Sequence, residues 1–377
     1  MPRLSTTTVA LAVTPTVTKT FFSHYLNRGR LREKPTAHLS YDEGLHLIRA
    51  FLEFAGHHTV EDLQAFTSQW VPHPQWVKVK DATIPAATTS RAADLLLAQL
   101  GDDGVRKLGG PTWWQWRKPG TPLRAEWIEM RSDYQERKKK GEVGNRVMLY
   151  VHGGAYFFGS VDEHRYQMQR HARKLKARVF APEYRLAPQF PFPCGLQDCL
   201  AAYLFLLETV DSSAIVLAGD SAGAGMLISL MVILRDQGVP MPAGAVLISP
   251  WVDLTHSFPS VAAHNPMDYI PPGGFHQKPS MAWPPPNDEE MMAIRAEAKE
   301  IREKLAEAAR QRGERESRDV AIDSVPFEET AGDDQSARRE SDTVARMLTV
   351  EVDGKMVKLI DQIQVTRYPL ISGGSAY

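Results

Sequence analysis

The sequence predicts an α/β fold on a mainly parallel sheet, and three observations carry the prediction. Val147–Val151 is a short apolar run that ends at His152-Gly153-Gly154-Ala155, and residues 214–218 form a second that ends at Gly219-Asp220-Ser221-Ala222-Gly223. Runs of this kind, rich in β-branched residues and stopped by glycine, read as strands covered on both faces. The third observation is the apolar stretch 226–234, long enough for a buried helix. Ser221 therefore falls on a tight strand-to-helix turn.

In chain order, residues 1–35 read as a flexible or surface-packed arm. They hold Arg3, Lys19, Arg28, Arg30 and Arg32 in a threonine-rich stretch, with no acidic residue in positions 1–32. Peripheral membrane contact or organelle targeting is the alternative for such a segment. Its one apolar run, 9–13, stops at Thr14 and Pro15, far short of the ~20 residues a membrane span needs.

Residues 36–120 read as a helical cap and aromatic packing segment. Ser40 with Glu43 forms a capping-box pattern, and Leu45, Ile48, Leu52 and Ala55 follow at helical spacing. Thr59 starts a second short helix with Leu63 and Phe66 on one face, and Trp113, Trp114 and Trp116 read as packing residues. Ordinary N-terminal packing is the other reading of the two helices.

Residues 121–275 form the expected core, with a strand at 126–131 and a basic run, 136–141, read as a solvated hairpin or loop. Beyond them, 276–347 combine a charged helix with a polar, acidic and aromatic-poor stretch expected to be disordered. The helix carries the stripe Met291, Ile294, Ala298, Ile301, Leu305 and Ala308, read as a surface insertion rather than a dimer zipper. Residues 348–377 read as a hairpin and tail, with Asp353-Gly354 as a type I′ turn.

The two glycine-bearing motifs carry the chemistry. A serine hydroxyl attacks well only when a base takes its proton, and the oxyanion that follows needs preorganised N–H donors. Ser221 is the expected nucleophile, with the backbone N–H groups of Gly153, Gly154 and Ala222 as the oxyanion donors. Gly219 and Gly223 are required because a side chain two residues either side of the serine would strike neighbouring backbone. His152 and Asp220 support the motifs, and Asp220 is expected to hold the elbow by hydrogen bonds rather than act as a triad acid.

With these motifs in place the chain resembles the hormone-sensitive-lipase-like (GDXG) branch of the α/β-hydrolases. Tyr184-Arg185-Leu186-Ala187-Pro188, Phe190-Pro191-Phe192-Pro193, Asp198 and Ser249-Pro250-Trp251-Val252-Asp253 extend the likeness over residues 125–260. The resemblance implies a three-layer core, an N-terminal helical cap, and hydrolysis of small-molecule or lipid carboxylic esters by a serine, an acid and a histidine. Ala155 stands where many relatives have a third glycine. Trp251 and Asp253 are expected to fix the loop after the sixth strand.

The family places its acid and histidine on loops after later strands, and neither is found here. His256, His264 and His276 are the only histidines after the serine, and they read as polar loop residues. The chain thus reads as a member that lacks its last core strands. Its alternatives are a non-catalytic ligand-binding pseudo-hydrolase and an esterase fragment.

Composition adds exclusions. With 43% hydrophobic and 24% charged residues and a net charge of −1, the chain can bury a core and lacks the basic surface that nucleic acid demands. Cys194 and Cys199 are the only cysteines; their spacing fits neither a disulfide framework nor a metal site, so the expectation is an intracellular, cytoplasmic protein without metal or cofactor. Oligomeric state has no signature in the sequence.

Overall fold

A computed structural model describes residues 4–31, 41–115, 122–254 apart from 143 and 145, and 268–270, with isolated later positions and the segments 349–352 and 355–358. Trp116, His256, His264, His276 and nearly all of the charged 276–347 segment lie outside the described residues. The chain divides into two compact units, the first built around Met1–Trp251 and the second around Pro286–Thr366.

The first unit holds a six-stranded sheet made of β1 (Val77–Ile84), β2 (Leu123–Met130), β3 (Val147–Val151), β4 (Arg178–Pro182), β5 (Ile215–Asp220) and β6 (Gly244–Ile248). They lie in the order β1-β2-β4-β3-β5-β6. β1 and β2 run antiparallel, and β4, β3, β5 and β6 run parallel, with Val147 opposite Ile215 and Val151 opposite Gly219. Every residue of β3 is buried, as an apolar central strand covered on both faces must be.

Helices cover both faces, which gives the three layers. On one side Val161, Met168 and Ala172 of α6 (Val161–Leu175) pack on Met148, Tyr150, Val179 and Ile128. On the other, α7 (Cys194–Leu207) stacks Phe205 on Phe180 at 5.6 Å, beside α8 (Ser221–Asp236) and α4 (Ala86–Lys107). The buried thiols Cys194 and Cys199 sit in α7.

The two expected early helices are α2 (Tyr41–Ala55) and α3 (Val60–Thr67). Thr59 caps α3 by accepting the Asp62 N–H at 3.2 Å. Ala55, Val60 and Leu63 then pack with Ala155 and Phe157, so these helices rest on the loop that follows β3.

Three expectations need correction. The 1–35 arm carries α1 (Thr6–Leu31), a helix despite Pro15. Leu4 and Val9 anchor its start among Ala55, Leu63 and Phe157, and Thr14 and Thr18 hydrogen-bond back to Ala10 O and Thr14 O. The basic run placed in a hairpin or loop is the end of α5 (Arg131–Lys140). Glu136 pairs with Lys140 at 2.9 Å, the cations sit at the negative end of the helix dipole, and Gly141 (φ +67°) closes it.

The third correction concerns the 36–120 segment, which is not purely a cap. It contains β1, the edge strand, paired with β2 from Val77 opposite Met130 to Ile84 opposite Leu123. The alternation in Val77-Lys78-Val79-Lys80 is the signal for it. The core thus begins before residue 121.

In the second unit β7 (Thr349–Val352) pairs antiparallel with β8 (Lys355–Lys358), Val352 opposite Lys355. That register is the expected two-residue hairpin; its turn, Asp353-Gly354, lies outside the described residues. Among the described residues no helix is long and apolar enough to cross a membrane.

Candidate active site

β5 and α8 meet at Ser221, whose φ of +49° is rare for a residue with a side chain. Such a conformation persists only where its surroundings over-determine it. Here the end of β3 does so. A Cβ on Gly219 would lie 2.6 Å from the Val151 carbonyl oxygen, and one on Gly223 would strike the carbonyl oxygens of Val151 and His152. The Trp251 N–H donates to the Ser221 carbonyl at 3.0 Å, and the Trp251 ring leans on Tyr156 at 5.5 Å.

Beside the elbow, the loop after β3 turns through three left-handed residues in succession: Gly154 (φ +114°), Ala155 (φ +49°) and Tyr156 (φ +68°). Its turn is closed by the Phe157 and Phe158 N–H groups, which donate to the Gly154 carbonyl at 3.0 and 2.9 Å. The amides of Gly154 and Ala155 make no hydrogen bond among the described residues. Ala222 is in the first turn of α8, where an amide has no carbonyl one turn back to bond.

Gly153 departs from the role expected of it. Its N–H donates to Asp220 Oδ1 at 3.1 Å, so this amide is already engaged by a carboxylate. A Cβ at Gly153 would run into the same carboxylate. Gly153 therefore joins the two motifs, a contact with no local sequence signal because its partners stand 67 residues apart in the chain.

Asp220 has further hydrogen-bond and charge partners besides Gly153. Tyr150 Oη donates to Oδ1 at 2.8 Å, and His164 Nε2 lies 3.8 Å away. Burial pushes the Asp220 carboxyl up, but His164, Tyr150 and the Gly153 amide outweigh it and leave the group below the usual carboxylate range. For His164 burial pushes down and is outweighed by Asp220, Glu163 and the Ser160 carbonyl, so its pKa is raised. Neither Tyr150 nor His164 was legible as a site residue, since one reads as core strand and the other as a helix surface.

His152 is buried and stacked between the Tyr184 and His164 rings, at 4.4 and 5.2 Å. Its Nδ1 lies 2.7 Å from the Gly153 carbonyl, and Tyr184 Oη donates to the His152 carbonyl at 2.8 Å. Burial, with His164 close by, lowers its pKa to about 3. It is thus a neutral packing group beneath the loop.

The Tyr184-Arg185 segment is pinned in turn by a buried ion pair. Arg185 Nε and Nη2 donate to the two oxygens of Asp198 at 2.9 and 3.0 Å, and Nη1 donates to Trp114 O at 2.8 Å. Among the described residues no side chain hydrogen-bonds Ser221 Oγ, and no cluster of His, Cys, Asp or Glu could hold a metal ion.

Residues 148–307 match a family model described as alpha/beta hydrolase fold. The chain is similar to an acetyl-hydrolase of Streptomyces hygroscopicus, 46% identical over 110 residues, which are 29% of this chain and 37% of that protein. It is also similar to an esterase of Acinetobacter venetianus, 35% identical over 111 residues, 29% of this chain and 37% of that one. A solved hormone-sensitive lipase from a metagenome library is 26% identical, with a TM-score of 0.44 over 62% of this chain and 64% of its own. The chain thus spans just over a third of the length of these curated relatives. The six-stranded, mainly parallel sheet with helices on both faces agrees with the alpha/beta hydrolase fold that residues 148–307 match.

Proposed function

We propose that the protein hydrolyses carboxylic esters through an acyl-enzyme intermediate on Ser221. The observation that carries the reading is the left-handed Ser221 at the end of β5, facing a loop whose Gly154 and Ala155 amides are unengaged among the described residues. Ser221 Oγ attacks the ester carbonyl, and the developing oxyanion takes N–H bonds from Gly154, Ala155 and Ala222. The donor set moves one residue along the loop from the sequence expectation, because Asp220 occupies Gly153.

One such donor contributes ~3 to 4 kcal/mol of transition-state stabilisation. The base that takes the Oγ proton, and the acid behind it, come from outside the described residues. α2 and α3 cover the site as a cap, and small-molecule or lipid esters are its substrates. The buried thiols in α7 fit a reducing compartment.

The test is labelling of the purified chain with a fluorophosphonate, run beside turnover of p-nitrophenyl esters. Labelling and turnover are expected in the wild type and both absent in Ser221→Ala. A folded wild type that neither labels nor turns over ester would replace this reading with a non-catalytic ligand-binding protein.

A further inference from the structure

At the other end of the sheet a cleft of about 350 Å³ opens between α5 and the strands β1, β2 and β4. Trp127 and Glu129 of β2 lie opposite Lys80 and Lys78 of β1, and Phe180 opposite Trp127 carries the same face into β4. Arg178 is the first residue of β4 and pairs with Val147, the first of β3. Ser221 comes six residues after Ile215, the β5 partner of Val147, so the two sites are separated by about 20 Å of extended chain.

The cleft is cationic. Lys78, Lys80, Arg137, Lys138 and Arg178 line it against two carboxylates, Glu129 and Glu142, an excess of three positive charges. Glu129 is already bound by Arg137. Two aromatic rings hold cations in place: the Arg178 guanidinium sits 4.3 Å over Trp127, and Lys78 lies over Tyr134. Such stacking fixes the plane of an arginine while leaving its N–H edge available.

Arg178 is the informative residue. Its Nη2 donates to Gly144 O at 2.9 Å, but Nε is buried and has no hydrogen-bond partner among the described residues. A buried donor left unmade is costly, and native structures satisfy nearly all of them. Burial and the neighbouring Arg137 also push its pKa down, so the charge is held at a disadvantage there. An anion would satisfy the donor and relieve the repulsion together.

We propose that this cleft binds a phosphate-bearing ligand, with a phosphate oxygen accepting from Arg178 Nε and Lys78, Lys80 and Lys138 neutralising the dianion. A phosphate matches the charge excess better than a single carboxylate, and its oxygens suit the arginine edge. The site is separate from Ser221 and independent of the ester reading.

Inorganic phosphate is the probe, with thermal melting and ³¹P line broadening as readouts and sodium chloride held at equal ionic strength as control. Phosphate is expected to raise Tm above the chloride control. Arg178→Lys, which keeps the charge but loses the planar fork, is expected to weaken binding about tenfold. The double variant Lys80→Gln/Lys138→Gln changes only exposed side chains, so it retains the fold, and it is expected to weaken binding by a similar factor.

Sedimentation with phosphatidylcholine vesicles, with and without phosphatidic acid, identifies the source. Retention that free phosphate competes away assigns a lipid headgroup, and phosphate binding without retention assigns a soluble phosphate compound; either supports the site. A melting shift equal to that of chloride, or phosphate binding unchanged in both variants, overturns it.

Discussion

The two ends of the same parallel strands are built from different material. At the carboxyl end, where β3 and β5 run into Gly153 and Ser221, contacts are made by backbone: glycines against carbonyl oxygens, in turns that pass through left-handed residues. At the amino end, under α5, they are made by long cationic side chains stacked on aromatic rings. A surface made of backbone tolerates almost no added atom, whereas one made of side chains can be altered a charge at a time. The contrast explains why the first end announces itself in sequence and the second does not.

Substitutions at the carboxyl end are expected to cost most. Asp198→Ala would leave the Arg185 guanidinium buried without its counter-charge and is expected to destabilise by ~3 to 5 kcal/mol. Urea unfolding measures it, and a loss under ~1 kcal/mol would show that water or a rearranged carbonyl replaces the carboxylate. Gly223→Ala follows at about 3 kcal/mol, because its methyl meets two backbone carbonyls that cannot turn aside. If its urea midpoint stays within error of the wild type, the elbow is less closely packed than this account requires.

The histidines beneath the elbow give the comparison a pH dependence. The folded pKa of His152, about 3, lies below its ordinary value of 6.5, so unfolding takes up a proton between the two. Its stabilisation is complete above pH 6.5 and falls by ~2 kcal/mol on going to pH 5. His164 works in the other direction: its raised pKa contributes stability present below its ordinary 6.5 and lost as pH rises through the folded value. Maximum stability near pH 6.5 is the expected result of urea titrations. His164→Gln should flatten the alkaline limb and, by removing the charge beside His152, make the acid limb shallower; an unchanged alkaline limb would show that the Asp220 pairing does not stabilise the fold.

The smallest effect belongs to the amino end. Lys140→Ala removes an exposed pair with Glu136 and is expected to leave Tm unmoved. A clear drop would mean that α5 depends on that pair more than on its glycine cap.

Much of the candidate site was legible because its requirements are local. Val147–Val151 is a strand with the expected bounds, and Gly219 and Gly223 are needed for the contacts expected of them. Residues 136–141 read as a loop because helix and solvated turn share a charged composition, and only the i,i+4 pair and Gly141 separate them. β1 carries the alternation of a strand in Val77-Lys78-Val79-Lys80, but so short and polar a run is placed in the sheet only by its pairing with β2.

By itself the sequence determined the strand-turn-helix at Ser221, the glycine-bearing loop after β3 and the two-residue register of the β7–β8 hairpin, since each rests on residues close together in the chain. Only the tertiary structure decided that Asp220 occupies the Gly153 amide, that His164 and Tyr150 gather on Asp220, and that Arg178 meets Lys78 and Lys80 in one cleft. The physical reason is distance along the chain: periodicity and turn chemistry act over a few residues, whereas partners for a buried carboxylate or guanidinium are chosen by whatever strand the fold lays beside it.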